Sequence, residues 1–270
     1  MSTKALERHL APLAPLLEMD GLTEICINQP QAIFIEKLGK FMGYPVPELS
    51  HGFLVSLAAL IAEFNHKDFP APLLSGSLPT GERVQFVMHP ACEKNKVVCS
   101  IRRQHRQEMQ LEDYEANGAF TDLIVNGGEM QETDIQLKKL YHNNDIQGFI
   151  KAAIQARKNI LISGGTGTGK TTFLNACLKC IPDTERLITV EDTREVNVSQ
   201  PNVAHLLFNE ENEATTSLNI FKASLRLRPD RIFLSELRGR EVWPYLRAAN
   251  SGHPGSLSTV HADTPACSYL

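Results

Sequence analysis

The sequence is poor in the features that mark a membrane, secreted or nucleic-acid-coating protein. No run approaches the roughly 18–20 consecutive apolar residues that a bilayer-crossing helix needs. The longest, FLVSLAALIAEF from Phe53 to Phe64, reads as a buried helix. Excess positive charge is missing too: 27 Lys+Arg face 31 Asp+Glu, a net charge of −4. Domains that hold nucleic acid by bulk charge are strongly basic, so direct nucleic-acid binding is not expected, although a local basic groove stays open. Tryptophan occurs once, at Trp243, which leaves few platforms for stacking bases.

Cysteine is sparse and unpatterned. Cys26, Cys92, Cys99, Cys177, Cys180 and Cys267 form no framework, and the chain is long enough to need no staples. A reducing, cytoplasmic compartment follows. The N-terminus, MSTKALERHLAPLAPLLEMDG, lacks a secretory signal: Glu7 interrupts the charged region and prolines break the apolar run. Repeats and low-complexity tracts are absent. What remains is a normal globular composition, 42% apolar and 21% charged, over 270 residues, which fits two modest domains.

The first hundred residues read as one α+β unit. Leu22, Ile25 and Ile27, then Ile33 and Ile35, form two short β-favouring runs broken at Asn28-Gln29-Pro30 and closed by Gly39. Residues 50–66 carry a Ser cap and an apolar stripe, predicting a packing helix. SGSLPTGERVQFVMHP and KNKVVCSIRR supply two further strands. From Gln104 to about Asn144 the chain turns strongly polar, with turn residues at Asn126-Gly127-Gly128, and reads as a linker carrying one or two surface helices. The boundaries are 1–103, 104–144 and 145–270. The third section opens on an amphipathic helix, DIQGFIKAAIQARK. NILISGG, RLITVEDT and DRIFLSE follow as nearly all-apolar strands separated by helical segments, the pattern of a parallel sheet covered on both faces. The fold class is therefore α/β.

The strongest signal is GGTGTGKTT, Gly164 to Thr172, directly after NILIS. It matches G-x-x-x-x-G-K-[ST]. Glycines let the backbone turn tightly and aim successive N–H groups at an anion. The helix beginning near Lys170 adds its positive end. Gly165, Thr166, Gly167, Thr168, Gly169, Lys170, Thr171 and Thr172 thus form the expected ATP cradle, with Lys170 on the β/γ-phosphates and the Thr171 hydroxyl on Mg²⁺.

Three clusters accompany the loop. ITVEDTREV places Glu191 and Asp192 past a strand, where a carboxylate can orient water or hold Mg²⁺; a capping or turn acid is the plain alternative. DRIFLSELRGRE ends its strand at Ser235-Glu236 where an Asp is usual; Glu236 is either a magnesium-side acid or a partly solvated strand end. SGHPGSLSTVHAD places His261 at a strand end, able to sense the γ-phosphate or to be an ordinary surface histidine. Arg226, Arg228 and Arg231 read as a solvated, subunit-facing or capping cluster, and Arg83, Arg102 and Arg103 as surface arginines. The pair Cys177 and Cys180 reads as helix packing, since zinc needs four ligands.

Taken in order, GGTGTGKTT, ITVEDTREV, RLRPDRIFLSELRG and GHPGSLSTVHA resemble the Walker A, Asp box, atypical Walker B and His box of the secretion-superfamily traffic ATPases. LTEICINQPQAIFIEKLGK, LPTGERVQFV and VVCSIRR resemble the N-terminal domain of the type IV secretion members, the VirB-eleven type, so the likeness spans nearly the whole chain. It implies a C-terminal RecA-like P-loop ATPase domain, an N-terminal PAS-like domain and a homo-hexameric ring with ATP between the two domains of one subunit. It implies that Lys170, Glu191, Glu236 and His261 are catalytic, that Thr171 and Glu236 (directly or through water) hold Mg²⁺, and that Arg83 and Arg102 reach the phosphates. Release of that arginine link on hydrolysis would open the domain pair.

The implied activity is ATP hydrolysis powering type IV secretion, conjugative DNA or protein export and pilus assembly, by a cytoplasmic protein held peripherally at the inner membrane by inner-membrane and other ATPase components of the system. The alternatives are a type II secretion or type IV pilus motor and a RecA-like nucleic-acid motor. The sequence ends at TPACSYL, where family members continue into several helices, so an exposed apolar face is expected on the ATPase half.

Overall fold

The structure is a computed structural model and describes residues 2–103, 110–121 and 130–262. Two helices, α1 (Ser2–His9) and α2 (Ala14–Leu17), lead into a hairpin of β1 (Leu22–Gln29) and β2 (Ala32–Lys37), extended by β3 (Lys40–Pro45). Helix α3 (His51–Phe64) starts where the Ser50 hydroxyl accepts the N–H of Phe53 at 3.2 Å. Strands β4 (Leu73–Ser77), β5 (Arg83–Met88) and β6 (Val97–Arg102) complete a six-stranded sheet in the order β3-β2-β1-β6-β5-β4, antiparallel throughout. Leu54, Leu57, Ala58 and Ile61 of α3 pack with Leu6 and Leu13 on the apolar face formed by Ile25, Ile27, Ile35, Phe86 and Ile101. Strands β3 and β4 escaped the sequence reading. KFMGYP is almost wholly exposed and LLSGS is small and half-buried, so neither shows a clean apolar alternation.

Helices α4 (Leu111–Ala116) and α5 (Glu132–His142) lie in the linker segment, whose Asn126-Gly127-Gly128 turn falls outside the described residues. Then α6 (Ile146–Gln155), capped by Asp145, leads to the second sheet. Its strands are β7 (Ile160–Ser163), β8 (Leu187–Glu191), β9 (Val203–Leu207), β10 (Arg231–Leu234) and β11 (Leu257–Val260). All pairs are parallel, in the order β7-β11-β10-β8-β9. Helices α7 (Lys170–Leu178), α8 (Ser217–Ser224) and α9 (Val242–Asn250) make the crossovers. Between α6 and α7 an apolar groove of about 410 Å³ is lined by Ile146, Ile150, Phe173 and Cys177.

The antiparallel sheet sits against the edge formed by the N-terminal ends of the parallel strands. Arg228, just before β10, grips Glu36 of β2 and lies 5.4 Å from the Phe41 ring. Arg186, just before β8, donates to Asn28 of β1 at 2.7 Å and to Asn202 at 2.6 Å. Arg226 donates to the Ser75 hydroxyl of β4 at 2.7 Å. Arg231 is fully buried, paired with Glu185 at 2.7 Å. Arg226 and Arg228, with Arg186, thus form the joint between the two sheets, while Arg231 is held inside the parallel-sheet half by Glu185 and the carbonyls of Ile154 and Gly255. The turn between β5 and β6 also docks: Leu207 of β9 donates to the Ala91 carbonyl at 2.8 Å, and Val87, Val98, Ile188 and Leu206 share one core.

Candidate active site

In a parallel sheet the loops leaving the C-terminal strand ends form the ligand crevice. Strand order therefore decides which loops meet. The β7 loop neighbours β11, and Val260 of β11 is in register with Ser163 of β7. This carries His261 beside Gly164. The Ser163 hydroxyl fixes the segment by donating to Ala262 O at 2.9 Å.

The loop is built as an anion cradle. Gly167 (φ +75°) and Gly169 (φ +86°) occupy the left-handed region that side chains rarely adopt. The N–H groups of Gly165, Thr166, Gly167 and Gly169 meet no acceptor among the described residues. Those of Lys170, Thr171 and Thr172 are the free donors of the first turn of α7. Lys170 Nζ folds over the loop, donating to the carbonyls of Gly164 and Gly165, each at 2.9 Å. Thr168 closes the turn on Gly165 O at 2.9 Å. Converging free N–H groups and an ammonium fit an oxyanion such as a nucleotide phosphate. The exposed loop leaves room for one.

A chain of charged contacts runs from the loop across the strand ends. Lys170 Nζ lies 3.4 Å from His261 Nδ1, and His261 Nε2 lies 3.1 Å from Glu236 Oε1. An ammonium has no lone pair, so Nδ1 is the bare nitrogen and Nε2–H donates to the carboxylate. Glu236 Oε2 also binds Arg238, whose other nitrogen stands 3.7 Å from Asp192. Lys170, Glu236 and His261, distant in sequence, are brought together.

A family profile described as "Type II/IV secretion system protein" matches residues 128–269. The type IV secretion system protein VirB11 of Bartonella henselae is 36% identical over 276 residues, spanning 96% of this chain and 78% of that one. VirB11 of Brucella suis is 37% identical over 262 residues, spanning 94% and 73%. The chain belongs to the type II/IV secretion system protein family. The crystal structure of the VirB11 ATPase from the Brucella suis type IV secretion system, in complex with sulphate, superposes with a TM-score of 0.93 at 35% identity, spanning 98% of this chain and 81% of that one. This secretion-family member is an ATPase of the VirB11 type, with an α/β fold and a phosphate-binding loop.

Two of the expected site groups are placed differently in this VirB11-type ATPase. Glu191, read as a catalytic acid, is fully buried. Its Oε1 accepts from Thr189 at 2.7 Å and Arg194 at 2.8 Å; its Oε2 accepts from the N–H of Glu195 at 2.8 Å and of Val196 at 2.7 Å. Burial pushes its pKa up, but donors from His205, Thr189, Val196 and Glu195 outweigh that and hold it below the ordinary carboxylate value. With every favourable acceptor direction used, Glu191 clamps the turn behind it. The acid beside the cradle is Glu195, exposed, with Oε2 3.4 Å from the Thr171 hydroxyl. The sequence carried no signal that singles it out: EDTRE holds three acids, and which of them is buried is set by contacts made only in the fold.

Arg83 and Arg102 form the second departure. They face each other in register on β5 and β6 and line a cavity of about 390 Å³ with Lys67 and Arg226. Arg102 is tied to Glu24 at 2.9 Å. The cavity belongs to the joint at the N-terminal strand ends, and no residue of the phosphate loop lines it. Within one chain these arginines and the loop are not brought together.

Among the described residues no group of three or more potential metal ligands clusters, and no helix is long and apolar enough to cross a membrane. Thr171, Glu195 and Glu236 supply oxygens that suit Mg²⁺, a hard cation usually held by few protein ligands and the phosphates themselves.

Proposed function

We propose that this ATPase works as a homo-hexameric ring that hydrolyses MgATP to drive type IV secretion, whether export of DNA or protein or pilus assembly. It would act in the cytoplasm, attached peripherally to the inner membrane through other components of the system. The observation that carries the reading is the Lys170–His261–Glu236 contact chain alongside a loop of free N–H donors. A VirB11 relative crystallised with sulphate, an oxyanion, is in keeping with it.

The roles follow from charge. Gly165 to Thr172 and Lys170 bind the triphosphate. Thr171 and Glu236 would hold Mg²⁺, which offsets charge on the phosphate oxygens. Glu195 orients the attacking water, taking the part the motif assigned to Glu191. His261 accepts from Lys170 and donates to Glu236, fixing both relative to the γ-phosphate. Phosphoryl transfer depends mainly on such positioning and charge compensation.

Arg83 and Arg102 then belong to a different site from the one their own loop makes. A ring of identical copies solves this, because the arginine face of one subunit can meet the phosphate loop of the next. Mixing tests it. Chains carrying Arg83→Ala and chains carrying Lys170→Ala, each inactive alone, should regain about a quarter of wild-type hydrolysis when randomly co-assembled, since each site then draws its two halves independently. No regain would place both groups in one subunit.

A further inference from the structure

The turn bearing Glu195 is firmly held at its centre and loosely held at both ends. At the centre, Glu191 takes the N–H groups of Glu195 and Val196, and Arg194 Nη1 binds Glu191 at 2.8 Å and the Val196 carbonyl at 2.7 Å. At one end the Glu195–Thr171 contact is stretched to 3.4 Å, long for a hydroxyl donor. At the other, Arg194 Nε is buried and makes no hydrogen bond among the described residues. It points to Glu93 Oε1, 3.8 Å away.

Glu93 belongs to the other sheet. It lies in the turn between β5 and β6, braced by Lys96 at 2.6 Å, and that turn is hydrogen-bonded to the free edge of β9 through Ala91. A buried donor just beyond bonding range of a carboxylate is costly as it stands, and it gains a charge-assisted bond if the gap closes by under an ångström. Any shift of the N-terminal sheet along β9 changes that gap. Arg194 precedes Glu195 directly, so the turn moves with it.

Resting on the reading of Glu195 as the water-orienting acid, we propose that Arg194 is a positioning residue that couples the N-terminal sheet to Glu195, with Glu93 as its partner across the joint. The two sheets then communicate with the hydrolytic step through one guanidinium, independently of the arginines Arg83 and Arg102.

A double-mutant cycle on the full chain tests this. Glu93→Gln keeps the size of a half-exposed side chain and removes its charge. Arg194→Gln removes the relay. Each should lower kcat about tenfold while the KM for ATP stays within about twofold, and the double variant should be no slower than Arg194→Gln alone. Glu93→Gln gives up only a part-exposed ion pair with Lys96, so its melting temperature should fall by no more than about 2–4 °C. Wild-type kcat in Glu93→Gln, or effects that multiply in the double variant, would overturn the coupling. Glu195→Gln separates the two levels. If it hydrolyses normally, the Glu195 reading fails; if it is inactive while Glu93→Gln is normal, only the relay fails.

Discussion

The Lys170 ammonium and the His261 ring stand 3.4 Å apart, and the far nitrogen of that ring reaches Glu236 at 3.1 Å. One imidazole therefore links the lysine of the glycine-rich loop to the acid just past β10. His261→Ala should lower kcat by about 10²-fold and change KM for ATP little, because in the proposed mechanism the ring organises charge at the γ-phosphate more than it holds the nucleotide. Steady-state phosphate release measures both. His261→Asn, which keeps a donor and an acceptor on a shorter side chain, should recover part of the loss.

Glu191 and Glu195, four residues apart, should fail in opposite ways. Glu191→Gln places an amide among donors and leaves the Arg194 charge short of its partner, costing about 2–4 kcal/mol of stability. Glu195→Gln touches an exposed side chain and should leave the melting temperature within a degree or so while abolishing turnover. Thermal unfolding and ATPase assays on both proteins decide it.

Acid should act through the same clamp. The folded-state pKa of Glu191 is lowered, as are those of Glu93, where the Lys96 contact leads, and Glu241, where backbone N–H groups outweigh burial. A depressed carboxylate gives stability that is present above its unfolded value, about 4.3, and is lost as pH falls through the folded value. Burial lowers the pKa of His253, so urea midpoints should ease downward between pH 7 and 5 as the unfolded chain takes up that proton more readily. They should fall more steeply below about pH 4.5, where the depressed carboxylates protonate. In Glu191→Gln the acid fall should be shallower from a lower starting point.

Thiol chemistry should follow burial. Burial pushes Cys26 up to about 11 and Cys92 up to about 12, and raises Cys99 and Cys177. Cys180, at the end of the post-loop helix, is half-exposed. In a Cys267→Ser background, a thiol reagent at pH 8 should modify Cys180 rapidly and the other four only on unfolding. Rapid loss of a second thiol in the native protein would contradict this.

The parts of this molecule with a strict chemical period were legible in the sequence. The cradle at 164–172, the strands ending at Glu191 and Val260, and the Ser50 cap all rest on local rules that few residues satisfy. Other parts depend on what a residue meets across the fold. Nothing in RLRPDR says that Arg228 will close on Glu36 or that Arg231 will be buried, since both partners lie far away in the chain. Strand β9, VAHLL, is broken by a histidine that serves the Thr189–Glu191 cluster, so its pattern resembles neither an alternating nor a continuous apolar run. The motif drew attention to the turn EDTRE. It could not say which acid faces inward, because that is set by the strand's last hydrogen bonds.

The most direct test of the whole account is hydrolysis of MgATP by the full chain beside its Lys170→Ala variant, with nucleotide binding measured in parallel. The account predicts turnover by the wild type and a loss of about 10²-fold or more in the variant, whose melting temperature stays unchanged. Equal turnover by the two proteins would contradict it.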